Sequence, residues 1–193
     1  MAWRALTALR ATRPRVAEPG SRAWNTLKTL AQIGVMWSVL LGILPLAIRR
    51  VEAGLGLPPL PGVERFGAGL FFACSMLGLW TANVMVRDGR GTPLPLDTAR
   101  DLVVSGPYRH VRNPMAIGGF GQGIGVGLWL ASPAVLGYVA IGAAIWQWLA
   151  RPWEERDLAE RFGPRYERYR RAVPCWLPRL RPYADAGDGA GVP

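Results

Sequence analysis

The chain is short of charge and short of the side chains on which most soluble catalysts rely. Only 19% of its 193 residues are Asp, Glu, Lys or Arg, against roughly a quarter in ordinary soluble domains. It has one lysine, Lys28, and one histidine, His110. A single histidine excludes a His-based metal cluster and most relays that activate a nucleophile through imidazole. The two cysteines cannot form a framework. Cys74 lies inside an apolar run and Cys175 near the basic C-terminal end, so they are not expected to meet, and nothing points to an oxidising compartment or a metal. Acids are scarce beside bases, 13 to 23, for a net charge of +10. That balance suits nucleic acid or anionic lipid headgroups. No zinc-finger spacing, basic helix with heptads or aromatic RNA platform accompanies it, so no nucleic-acid partner is expected.

What is present is hydrophobic length. Half of the residues are hydrophobic and they collect into long runs. Four segments are apolar enough to cross a bilayer, which takes about 20 residues each. They run from Leu27 to Ile48, from Phe66 to Val86, from Met115 to Ala131, and, after Ser132 and Pro133, to about Ala150. The turn between the last two is so short that they form a tight antiparallel hairpin. Gly119, Gly123 and Gly127 share one face of the third, offset by Gly121 and Gly125, a spacing that lets helix backbones approach closely. Packing is their reading, because no G-x-G-x-x-G fingerprint or βαβ pattern surrounds them. Apart from Lys28 at the rim of the first span, the spans hold no charged residue, and Gln32, Asn83, Gln122 and Gln147 are their strong polar groups. That argues against a transporter.

Basic residues set the expected orientation. The N-terminal arm, the connection from Arg87 to Arg112 and the tail from Arg151 hold twenty of them, while the connection from Arg49 to Arg65 holds three. By the positive-inside rule the first group is cytoplasmic, both termini included, in a multi-pass protein of the plasma (inner) membrane. Arg4, Arg10, Arg13, Arg15 and Arg22 face only Glu18 in the first 25 residues, with no apolar h-region or cleavage site, so this is no secretory signal. A disordered cytoplasmic arm is preferred to an organelle transit peptide. The expected division is an arm at 1–25, a membrane domain at 26–180 and a flexible tail at 181–193. The segment from Arg151 to Leu180 reads as two short helices broken at Gly163-Pro164, with Leu158, Phe162, Tyr166 and Tyr169 on an apolar face.

The stretch Leu102-Val103-Val104-Ser105-Gly106-Pro107-Tyr108-Arg109-His110-Val111-Arg112-Asn113-Pro114-Met115 resembles the signature of isoprenylcysteine carboxyl methyltransferases and their phospholipid methyltransferase relatives, LV-x-x-G-x-Y-x-x-x-R-H-P-x-Y-x-G. A second block follows the hairpin at matching spacing: Arg151, Glu154-Glu155, Leu158, Phe162-Gly163, Tyr166, Tyr169 and Val173-Pro174. Two blocks in order, separated by a hairpin, are far more specific than either alone. The resemblance runs from Gly91 to Leu180. It departs from the signature at Asn113, where the family has histidine, and at Ala116, where an aromatic is usual.

The resemblance implies an all-α integral membrane protein of about four transmembrane helices, with a C-terminal helical hairpin and a cytoplasmic cofactor pocket closed by a C-terminal helix. It implies S-adenosylmethionine as cofactor. The residues it assigns to the cofactor are Arg100, Asp101, Leu102, Val103, Tyr108, Arg112, Asn113, Pro114, Met115, Ala116 and Glu154. Their chemistry fits. Glu154 can accept from an ammonium or ribose hydroxyls, Arg112 can grip a carboxylate in a fork, and Tyr108 can meet a cation or stack on a base. It sets the catalytic Arg151 against the acceptor, which it orients; an amine acceptor must also lose a proton, for which Glu155 is the available base. The implied reaction is methyl transfer to a lipophilic or prenylated acceptor arriving from the bilayer among membrane lipids, with an isoprenylcysteine-type carboxylate the leading acceptor. The alternatives are a lipid amine, a small thiol, or a non-catalytic membrane subunit on the same scaffold.

Overall fold

The structure is a computed structural model and describes residues 22–89 and 99–185. Most of the expected basic arm, the 90–98 part of the second connection and the end of the expected tail lie outside the described residues. Among the described residues the protein is all-helical, with no strand. The first rod begins as α1 (Arg22–Trp37), widens into a π-helical stretch at Ser38–Ile43 and continues as α2 (Leu44–Gly54). The widening precedes Pro45, whose ring has no N–H and would clash with the carbonyl four residues back in a regular helix. There follow α3 (Glu64–Gly89), a 3₁₀ turn at Gly106–Arg109, α4 (Pro114–Trp129), α5 (Pro133–Ile145), a second π stretch at Trp146–Ala150 and α6 (Arg151–Ala172).

Three rods are long and apolar enough to cross a membrane: Ala23–Gly54, Glu64–Gly89 and Pro133–Ala172. Charged residues crowd the last of these from Arg151 onward, so its membrane-spanning part is α5 with the π stretch, and α6 lies outside. The third expected span differs. α4 has 16 residues, about 24 Å at 1.5 Å per residue, short of a hydrocarbon core of roughly 30 Å. Pro114 sets its start, and Ala131, at a φ of 50°, turns the chain into α5. Four expected spans are thus three full-length rods and one shorter helix packed among them.

Glycine brings α4 close to its neighbours on two faces rather than the single one expected. A Cβ on Gly125 would lie 2.6 Å from the Phe71 amide of α3, and one on Gly121 would meet Cys74 Sγ. Gly123 and Gly127 face the other way, against Val139 and Leu136 of α5. Gly119 packs on neither, with nothing within 4 Å of its Cβ position. The hairpin corner is tied by Glu52 of α2, which is 2% exposed. Its carboxylate accepts from Ser132 Oγ at 2.5 Å and from the Ala134 amide at 3.0 Å, beside the positive end of the α5 dipole. Ser132 Oγ in turn accepts from the Val135 amide at 3.1 Å and caps α5.

At the opposite end α6 closes over the loop that follows α3. Gly163, at φ 50° and ψ −130°, kinks α6 immediately before Pro164, as the Gly-Pro pair predicts. Beyond the kink Tyr166, Tyr169 and Val173 form a buried cluster with Leu102 of the loop, flanked by Leu158 and Phe162. The chain then runs back along the loop in main-chain pairs. Arg112 N donates to Pro174 O at 2.9 Å, Arg179 N to His110 O at 2.9 Å, and Tyr183 N to Arg109 O at 2.9 Å. It stays docked to Asp185, buried and paired with Arg165 at 2.7 Å.

Candidate functional site

The loop from Arg100 to Asn113 is extended at its start, so successive side chains alternate. Leu102 points into the α6 cluster and Val103 into a second cluster with Val84 and Tyr108. Both are core side chains, which leaves only their main-chain groups for a ligand. Arg100 and Asp101 precede them with exposed side chains, their amides both directed at Gly89 O, at 2.7 and 3.3 Å. Gly106, at a φ of 54°, takes the left-handed conformation that starts the 3₁₀ turn. That turn buries Tyr108, whose carbonyl accepts from Tyr169 Oη at 2.7 Å.

Tyr108 Oη itself is buried and receives no partner, and Arg112 Nε is in the same position. Opposite them stands Glu154, on the first turn of α6, with no hydrogen bond or ion pair among the described residues. Burial, then the charge of Glu155, push the Glu154 carboxyl up to about 7. Burial, with Glu154 adding to it, also pushes the Tyr108 hydroxyl upward, so it stays a neutral donor. A buried hydroxyl, a guanidinium edge and a carboxylate without partners therefore belong to one site. Unsatisfied polar groups of this kind are costly unless a ligand completes them.

Glu155 is the reverse case, because it is saturated. Its Oε1 accepts from Arg112 Nη1 at 2.8 Å and from Arg151 Nε at 3.0 Å, and Arg170 lies 4.0 Å from Oε2. As the candidate base it is thus held by guanidinium groups, and Arg151 rests on the protein's own carboxylate. Arg112 cannot offer the free fork expected of it, since one prong is spent on Glu155. Pro114 is buried at the first turn of α4, with Met115 and Ala116 half-buried beside it. Asn113 Nδ2 donates to Cys175 Sγ at 3.1 Å. The two cysteines are free and do not pair with each other. His110 is half-buried with Nδ1 2.9 Å from Arg179 O.

The family model for phospholipid methyltransferases matches residues 63–165, just over half of the chain. The chain belongs to the phospholipid methyltransferase family. The match spans α3, the loop, α4, α5 and the first turns of α6, which are the elements that build the site. No curated protein matches the chain. Membership of the phospholipid methyltransferase family, with three rods able to span a membrane, makes this a membrane protein of a methyltransferase type.

The site fits the methyl donor that such a family implies. The orphaned groups are one carboxylate acceptor, one guanidinium donor and one phenol. They match the ammonium, the carboxylate and the hydroxyls of S-adenosylmethionine. Sequence reasoning did not anticipate Cys175 or Arg170 as partners of this phospholipid methyltransferase site. They reach it only because the C-terminal segment folds back, and local spacing carries no signal of that.

Proposed function

We propose that the protein transfers a methyl group from S-adenosylmethionine to a lipophilic acceptor at the cytoplasmic membrane interface, the acceptor carrying an isoprenylcysteine-type carboxylate. The observation that supports this best is the unpartnered set of Tyr108 Oη, Arg112 Nε and Glu154 on the facing loop and helix. When bound, the cofactor supplies an electrophilic methyl on its sulfonium. The chain's own residues then bind, orient and exclude water. Glu154 takes a cationic or hydroxyl group, Arg112 and the main chain around Leu102, Val103 and Asn113 take the remaining polar edges, and Tyr108 walls the pocket. Arg112 and Arg151 share the single carboxylate of Glu155, which leaves one guanidinium charge in surplus there. That surplus suits an anionic acceptor, which needs orientation but no base. An amine acceptor would need a base, and Glu155 accepts two guanidinium hydrogen bonds.

Calorimetry on the full chain in detergent tests the reading. Binding of S-adenosylmethionine is expected, and label from a methyl-labelled cofactor should appear as a base-labile ester on a prenylated acceptor. Absence of binding at millimolar cofactor would overturn it.

A further inference from the structure

Two cavities open along the inner side of the first rod, and both include Trp37. The upper one, of about 90 Å³, lies between α1, α3 and α4, with Thr29, Gln32, Gly78, Met115, Gly119 and Gln122 among its lining. The lower one, of about 430 Å³, is apolar and runs past Leu41, Leu46, Phe71 and Trp129. Neither is lined by an Asp, Glu, Lys or Arg. The upper cavity is bordered at Met115 by the start of α4, where the candidate cofactor site lies, and reaches down to Gln122, about 10 Å along the helix.

The upper cavity is lined by two amide oxygens and a hydroxyl that have no partner. Thr29 is 3% exposed, yet its Oγ1 has no partner, and neither does Gln32 Oε1. Gln122 is pinned from the far side. Ser75 Oγ donates to Phe71 O at 2.7 Å and so must accept from Gln122 Nε2 at 2.9 Å. The amide is thereby oriented, and Gln122 Oε1 receives no hydrogen bond among the described residues. Gly78 and Gly119 have nothing within 4 Å of their Cβ positions, so these glycines make room where the others on α4 make contact.

We propose that the two cavities are one cleft that binds a single-chain amphiphile, with an uncharged hydrogen-bond donor at Thr29, Gln32 and Gln122 and a hydrocarbon chain in the groove from Trp37 to Leu46. The donor is an O–H or an amide N–H placed between the reacting head and the chain. A charged group here would lose hydration without gaining a counter-ion. A group that only accepts could take the Thr29 hydroxyl proton but would leave both amide oxygens unmet. That the occupant is the methyl acceptor rests on the methyltransferase reading above. The cleft's selectivity does not.

The test uses the full-length protein in detergent with three probes: ω-bromoundecanol, its methyl ether and ω-bromoundecanoate. Bromine quenches tryptophan fluorescence at contact, and Trp37 lines both cavities. The alcohol should give saturable quenching that Trp37→Phe reduces and Trp37→Phe with Trp129→Phe removes. Gly119→Leu, which fills the upper cavity, and the pair Thr29→Val with Gln32→Leu should each raise its half-saturation about tenfold or more, as should replacing the alcohol by the ether or the carboxylate. Equal half-saturation for alcohol and ether, or no change in Gly119→Leu, would mean only surface lipid exchange and would overturn the proposal. The quenching needs no cofactor, so failure to bind S-adenosylmethionine in calorimetry would strike the methyltransferase reading alone.

Discussion

Arg112 and Glu155, 43 positions apart in the chain, meet at 2.8 Å and join the loop after α3 to the first turn of α6. Both are largely sequestered, at 12% and 17% side-chain exposure. The contact sets the distance between the two halves of the proposed pocket. A double-mutant cycle of Arg112→Ala and Glu155→Ala, read by unfolding of the cofactor-free protein, should show a coupling of about 1–3 kcal/mol. Additive effects of the two substitutions would mean that the halves are held by the Leu102 cluster alone.

Glu154 should make cofactor affinity pH-dependent. Its carboxyl is raised from 4.5 to about 7. The folded protein therefore holds this proton more tightly than the unfolded chain, and the group's contribution to stability is lost as pH rises from 4.5 through 7. A cationic ligand needs the deprotonated form, so affinity for S-adenosylmethionine should climb about tenfold between roughly pH 6 and 8 as that form becomes populated. Glu154→Gln should flatten the profile and weaken binding at the upper end by about 1.5–3 kcal/mol. Titration calorimetry at several pH values reads both. The same slope in the Gln variant would assign the effect to a group other than Glu154.

Arg151 separates acceptor from cofactor. Its Nε donates to Glu155, and it stands at the start of α6, directly after the last span. Arg151→Ala should lower kcat/KM for an anionic acceptor by about tenfold while cofactor affinity stays within about twofold. Arg151→Lys should recover little, because a point charge cannot hold Glu155 and a carboxylate as a fork does. Loss of cofactor binding together with turnover would move Arg151 to the other half of the site.

Glu52 should be the most sensitive structural residue at the far end. Glu52→Ala removes the acceptor of Ser132 Oγ and of the Ala134 amide, at a cost of about 3–5 kcal/mol. A lowered unfolding midpoint in detergent is the expected outcome. Glu52→Gln should lose less, since its oxygen still accepts one bond. An unchanged midpoint in the Ala variant would show that the hairpin corner is held by backbone contacts alone.

The proposed cytoplasmic orientation of the site is checked by single-cysteine labelling of intact cells, in a background lacking Cys74 and Cys175. Ser105 is a poor reporter because its hydroxyl donates to Asp88 in a half-buried setting. Glu160 and Leu57 are exposed and lie on opposite ends of the rods. Only Leu57→Cys should react from outside. Labelling of Glu160→Cys instead would invert the topology.

Several features were legible before any coordinates. The long apolar runs could only be buried in lipid, so rods and a membrane followed from composition and length. Gly163-Pro164 could only break a helix, and Ser132-Pro133 could only start one. The two blocks around Tyr108-to-Pro114 and Glu154-to-Tyr169 marked the candidate residues because their chemistry and order are unusual together. Leu102 and Val103 give their side chains to the core, which leaves their main-chain groups for a ligand. Apolar residues in a recognised motif look alike whether they touch a ligand or the core.

What the sequence determined on its own was therefore local: helix length, helix breaks, the excess of positive charge at one end, and the identity of the polar groups near the loop. The tertiary structure alone decided which of those groups are spoken for. Glu154 and Glu155 are adjacent and chemically identical, yet one is unpartnered with a raised pKa and the other is held by Arg112 and Arg151. Gly119 and Gly123 belong to one repeat, yet one borders a cavity and the other meets Val139. Adjacent residues on a helix point about 100° apart, and those four apart on one helix face meet whatever the neighbouring helices place there. Partnership depends on what stands opposite, and the fold supplies that from residues tens of positions away.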